Sequence, residues 1–229
     1  MTGPDPDSRP TPPPPPLQAP RQPILTGLPP VIALLLAVMV GVHALDWWSV
    51  NQGDGAFHGW LVDTAAVRTG ETAARFGPGP LGGFAPYLAH VFLHFGWAHL
   101  LLNAGALLAF GAAAARPFGT GPAGSAGFLA FFFACALAGA GLHALVHMND
   151  ASVMAGSSTA VMGLLAAAGW AQGGRRGMLR LAVPLLGLHV VMILADPWLN
   201  LPIAWTGHVG GLLVGMIAYP AFVRLFGRR

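Results

Sequence analysis

HVFLHFGWAHLLLN, residues 90–103, sets three histidines and an asparagine in a run otherwise made of apolar residues and glycine. Polar groups are expensive inside a bilayer and mark function there more often than in water. Two further polar positions lie downstream: Ser158 within the small-residue run AGSSTAVMG, and His208 within TGHVGGLLVG. A serine, a histidine and hydrogen-bond donors in one lipid-embedded chain point to hydrolysis within the membrane.

The rest of the composition agrees with a membrane location. Of 229 residues, 55% are hydrophobic and 8% charged, where a soluble domain carries about 25% charged residues. Lysine is absent, and eleven arginines over eight acids leave no basic face of the kind nucleic acid requires. Cys135 stands alone, so no intrachain disulfide can form. Residues 1–30 hold twelve of the 21 prolines, five of them consecutive from Pro12 to Pro16. Residues 1–28 therefore read as a disordered, proline-rich tail that acts as a spacer. Val42-His43-Ala44 loosely fits a signal-peptidase site, but the leader before it is long for a signal peptide, and the first apolar run is read as a retained span.

A helix needs roughly 20 mainly apolar residues to cross the hydrocarbon layer. Six segments come near that length, at about 29–47, 97–115, 125–147, 157–172, 178–195 and 206–226. The expected fold is all-α, a polytopic bundle of six transmembrane helices over residues 29–229. Positive charge is retained on the cytoplasmic side. With both termini inside, nine arginines (9, 21, 116, 175, 176, 180, 224, 228 and 229) are cytoplasmic, and only Arg68 and Arg75 fall outside. The loop expected outside, 48–96, carries Trp47 and Trp48 at its edge and Phe57, Trp60 and Phe84 along it, residues suited to the headgroup layer. Gly77-Pro78-Gly79-Pro80 and Gly82-Gly83 mark a break before the histidine-rich segment.

In this topology spans two, four and six run in the same direction, so their N-terminal ends meet at the outer face. His99 and Asn103 lie at i and i+4 on the first turns of span two, on one face. Ser158 opens span four, and His208 lies near the start of span six. Gly211-x-x-x-Gly215 allows span six to pack closely on a neighbour, and if that neighbour is span four, His208 reaches Ser158. Alone, Ser158 reads as a helix cap and His208 as a packing histidine. Their shared depth favours chemistry.

A serine hydroxyl is a weak nucleophile until an imidazole takes its proton, and the developing oxyanion needs fixed donors. The N–H groups of Ser157 and Ser158, with His99 and Asn103, can supply them. Asp150 and Asp196 sit where loop acids are expected, so a Ser–His dyad is favoured over a triad. His90 and His94, one turn apart, read as hydrogen-bonding supports of the outer loop. His43, His143, His147 and His189 show no partner logic and read as structural. A zinc protease would need a glutamate beside the first histidine of the His90/His94 pair, and Val91 stands there. No metal and no cofactor is expected.

This set of residues resembles the rhomboid intramembrane serine proteases. His90, His94, His99 and Asn103 match the family's histidines and asparagine before and within its second span. Gly156-Ser157-Ser158 matches its glycine-x-serine segment, and His208 with Gly211 and Gly215 matches its sixth span. The resemblance covers about residues 29–226. It implies Ser158 as nucleophile, His208 as base, and His99 and Asn103 as oxyanion or orienting donors. Thr159 stands where the family usually has glycine, and Met162 where an aromatic residue often stacks on the base histidine. Glu71 to Arg75 replaces a tryptophan-arginine pair often seen before the second span. If the serine loop keeps the family's backbone shape, Thr159→Gly should preserve or raise activity.

The expected function is an intramembrane serine endopeptidase in the lipid bilayer that cleaves single-span or polytopic membrane proteins near the outer face. Its alternative is a catalytically silent rhomboid-like protein that binds or escorts membrane clients. Missing lysine and abundant alanine, glycine and arginine suggest a GC-rich bacterial genome, hence the bacterial inner membrane.

Overall fold

The computed structural model describes residues 27–76, 83–199 and 201–228. Most of the proline-rich tail and of the Gly/Pro break at 77–83 lies outside the described residues. Helix α1 (Pro30–Gln52) begins with proline at its first position, where a missing N–H costs nothing, and ends at Gly53, whose N–H bonds to Trp48 O. It outlasts the expected span by five residues, because nothing in Trp48 to Gln52 breaks a helix. The long connection after it accordingly starts at Gly53 and is not bare. It contains α2 (Ala56–Ala65), β1 (Val67–Thr69), α3 (Gly70–Phe76) and α4 (Ala85–Ala89), then a single tight turn at His90–Phe92.

Helix α5 (Trp97–Phe118) includes a π-helical turn at Leu107–Gly111 and closes in a tight turn at Arg116–Phe118. Helix α6 (Pro122–Val146) again starts on proline. After it β2 (Ser152–Met154) pairs antiparallel with β1, with Val67 opposite Met154 and Thr69 opposite Ser152. This small ribbon departs from an all-α expectation. It ties that connection to the residues just ahead of Ser158, and Thr69 Oγ1 and Thr72 Oγ1 reinforce it with bonds to Asp150 O and Ser152 O.

Helix α7 (Ser158–Leu199) runs for 42 residues, but Gly173 and Gly174 leave helical geometry, Gly174 with φ of +56°. The chain turns back there. A Cβ on Gly177 would strike Gly169 O, and one on Gly169 would come within 2.8 Å of Gly177 O. A straight helix would hold residues 158 and 189 about 46 Å apart, yet one histidine ring bridges them. The two arms, 158–172 and 175–199, correspond to the fourth and fifth expected spans. Helix α8 (Trp205–Phe226) completes the chain. Among the described residues five helices are long and apolar enough to cross a membrane, α1, α5, α6, α7 and α8, with the hairpin in α7 taken as one. The protein is an integral membrane protein.

The core lies where α1, α5, α6, α7 and α8 meet, with Phe128, Phe131, Phe132, Leu107, Leu164 and Ile32 fully enclosed. In lipid the apolar effect does not drive helices together, so contact area and hydrogen bonds must. Glycines supply the closest contacts. A Cβ on Gly211 would overlap Thr159 O, one on Gly215 would overlap Gly163 O, and one on Gly210 would come within 2.6 Å of Ala138 O. Helix α8 thus lies backbone to backbone against the first arm of α7 on one side and α6 on the other. At the far end of the bundle Tyr219 donates to Ala114 O at 2.8 Å, joining α8 to α5.

Gly211→Val should destabilise the protein by about 3 kcal/mol or more, since the added atoms meet main chain that cannot rotate away. Gly41→Ala, which has open space around the added Cβ, should leave the melting temperature near wild type. Thermal denaturation of the two purified variants measures the difference.

Candidate active site

Ser158 and His208 come together because the glycine contacts fix α8 against α7 at the level of their first turns. Ser158 is the first residue of α7 and His208 the fourth of α8. Ser158 Oγ lies 2.8 Å from His208 Nε2. Both side chains are half-buried. The neighbouring serine behaves differently: Ser157 is fully buried, and its hydroxyl donates to Asn103 Oδ1 at 3.1 Å. The geometry therefore separates the two serines, one against an imidazole and the other against an amide.

Gly156, just upstream, adopts φ of +105°, a conformation costly for any residue with a Cβ. Its N–H bonds to His90 O at 2.8 Å, and a Cβ there would come within 2.6 Å of His99 Nε2. His99 Nδ1 accepts the Phe95 N–H at 3.3 Å. In the neutral ring the proton is therefore on Nε2, the nitrogen that faces the serine loop. Asn103 Nδ2 donates to His99 O at 2.9 Å, which uses one of its two hydrogens and leaves the second available. The four donors anticipated from sequence are not equally free, because the Ser157 N–H is directed at His94 Nε2, at 3.5 Å. The Ser158 N–H, at the open end of a helix, has no intrahelical acceptor.

His90 and His94 hold the loop in place. His90 donates from Nδ1 to Pro86 O at 3.0 Å, and its Nε2 accepts the Thr159 hydroxyl at 2.9 Å. Burial pushes the His90 pKa down to about 4, so the ring is neutral at neutral pH and can accept that hydrogen. His143 likewise bridges Thr206 and Ser152 at 3.1 Å each, joining α6, the start of α8 and the ribbon.

Sequence reasoning missed one residue. His189, on the second arm of α7, places Nε2 at 3.1 Å from His208 Nδ1. A usable signal existed: Ser158 lies fifteen residues before Gly173 and His189 fifteen residues after Gly174, so a hairpin turning at these glycines returns His189 to the depth of the serine. Asp150, one of the acids weighed as a third member, sits 3.5 Å from His147 instead.

The arrangement is a half-buried serine hydroxyl held against an imidazole at the head of a membrane helix, with donors on an adjacent helix. A bundle of this form places the chain among the polytopic membrane proteins. A family model, the Rhomboid domain, matches residues 82–225. The chain belongs to the rhomboid family. A comparison with curated proteins finds no match.

Thr159 makes contacts that weigh against a gain of activity on Thr159→Gly. Its side chain fills space that Gly139 and Gly207 leave open, and its hydroxyl satisfies His90. Thr159→Gly should not preserve the protein. It strips His90 Nε2 of its partner, at about 1–3 kcal/mol, and adds a glycine to the first turn of a helix. The melting temperature should fall, and activity should fall with it; a variant as stable and active as wild type would show the contact to be idle.

Proposed function

We propose that the protein is an active intramembrane serine endopeptidase that cleaves membrane-spanning segments of other proteins near the outer face, from a six-span bundle with both termini in the cytoplasm of a bacterial inner membrane. The observation that carries this reading is the 2.8 Å contact between Ser158 Oγ and His208 Nε2. Family membership alone leaves room for silent members. A silent client-binding protein has no need to hold a serine hydroxyl against a ring nitrogen.

In the proposed reaction Ser158 Oγ attacks the carbonyl carbon of the scissile peptide while its proton passes to His208 Nε2. The carbonyl electrons move onto oxygen, which is stabilised by the Ser158 N–H, the His99 Nε2–H and the second Asn103 amide hydrogen. His208 then returns the proton to the leaving nitrogen as the C–N bond breaks. Water, deprotonated by the same ring, releases the acyl group from Ser158 and restores the hydroxyl. A membrane substrate must unwind locally to present its carbonyl, since a helical peptide has that oxygen already bonded.

Detergent-solubilised protein should cleave a model single-span substrate, and a fluorophosphonate should label Ser158 covalently. Ser158→Ala should abolish cleavage with a melting temperature near wild type, and His208→Ala should abolish it with a somewhat lower one, since it leaves the buried His189 Nε2 without its partner. Substantial cleavage by purified Ser158→Ala, or labelling at Ser157 in the wild type, would overturn the assignment.

Asn103→Ala separates transition-state binding from packing. If the amide stabilises the oxyanion, turnover should fall roughly 10- to 1,000-fold with KM little changed. Steady-state kinetics on the folded fraction read this directly; unchanged turnover would remove Asn103 from the reaction.

A further inference from the structure

His208 is held at both nitrogens, and the group on its far side decides which of them carries the proton. The chain of contacts begins at Leu185. Its carbonyl oxygen can only accept, and His189 Nδ1 lies 2.8 Å from it. His189 therefore carries its proton on Nδ1 and, as a neutral ring, presents a lone pair at Nε2. His208 Nδ1, 3.1 Å away, must then be the donor. This leaves His208 Nε2 bare toward Ser158 Oγ at 2.8 Å, the only tautomer in which it can accept the serine proton. One backbone carbonyl thus sets the direction of every hydrogen bond up to the nucleophile.

Packing favours the same arrangement. His189 is buried. Trp205 meets the rings of His189 and His208 edge-on, at 5.5 and 6.2 Å between centroids, which limits how far either ring can swing. Met162, one turn beyond Ser158, packs instead in the apolar cluster of Ala166, Met178 and Leu212.

We propose that His189 is the positioning residue of a Ser158–His208–His189 relay, fixing the Nδ1–H tautomer of the base and stabilising its charged form through the Nε2 lone pair. The proposal rests on the proteolytic reading above for its kinetic consequence, while its tautomeric consequence stands without it. When Ser158 Oγ bonds to the substrate carbon, its proton moves to His208 Nε2 and the positive charge spreads over the His208 ring. The Nδ1–H bond to His189 shortens but does not break, and His189 neither gains nor loses a proton. The proton on Nε2 then leaves with the amine.

Three variants test this in the full-length solubilised protein. His189→Phe keeps the ring volume against Trp205 and removes the acceptor; His189→Gln restores an acceptor oxygen; His189→Ala removes both. Nitrogen NMR of histidine-labelled protein should show His208 as the Nδ1–H tautomer in the wild type and in His189→Gln, and shifted toward Nε2–H in His189→Phe. Loss of the group that holds a catalytic histidine in its tautomer costs serine proteases about 10⁴-fold. With a neutral partner in place of a carboxylate, the rate of Ser158 labelling and kcat should fall roughly 100- to 1,000-fold in His189→Phe, with KM and melting temperature close to wild type. His189→Gln should recover most of that loss. A His189→Phe protein with the wild-type tautomer and rate would overturn the proposal, and so would a His189→Gln protein no better than His189→Phe. If the wild type resists labelling at Ser158 yet its His208 tautomer still depends on residue 189, the proteolytic reading fails and the positioning role stands.

Discussion

The close approach of α8 to the first arm of α7 is the constraint on which the site depends. Gly211 faces Thr159 O and Gly215 faces Gly163 O with no room for a side chain between them. Helices normally pack 8–10 Å apart, and a hydroxyl on the first residue of one can be reached by an imidazole from the other only if the pair is drawn in from that range. The glycines do this at the position where it matters, one turn below His208. In lipid they also supply the contact area that holds the helices together, so the requirement of stability and the requirement of geometry fall on the same residues.

The second constraint is that polar groups inside the membrane must be paired. Three of the buried histidines do so by joining elements distant in sequence. His90 connects the turn before α5 to Thr159, His143 connects α6 to Thr206 and Ser152, and His189 connects the second arm of α7 to His208. The polar residues that bind the fold together are thus continuous with those that surround Ser158. Ser157 shows the same economy: its hydroxyl fastens the serine loop to Asn103 and thereby fixes where the next residue points.

Much of this is legible in the amino-acid sequence. The helical segments, the meeting of His99, Ser158 and His208 near one end of the bundle, and the close packing at Gly211 and Gly215 all follow from apolar length, direction of travel and residue size, which are local properties of the chain. Three features were not legible, each for its own reason. The ribbon joining Val67 and Met154 is three residues per strand and depends on a pairing 87 positions apart, too short and too distant for periodicity to register. Thr159 read as a departure from a glycine position because its partners, His90, Gly139 and Gly207, come from three other elements. His189 had no partner within its own span, and only the fold-back at Gly173 and Gly174 gives it one.

That fold-back also explains how His208 is oriented without an aromatic residue at position 162. Stacking restrains a ring's plane but leaves its protonation unassigned, whereas a hydrogen bond to Nδ1 restrains both. Met162 cannot stack as an aromatic ring does, and it is turned into the apolar cluster with Leu212 and Met178. The orienting contacts come from elsewhere: Trp205 against the ring edges and His189 against Nδ1. A carboxylate at residue 189 would stabilise a charged His208 more strongly, but before the proton arrived it would be an unpaired anion at membrane depth. A neutral imidazole tied to a helix carbonyl carries no such penalty. In the proposed reaction it therefore holds His208 ready in a bilayer at rest, and the charge need exist only while the serine is bonded to substrate.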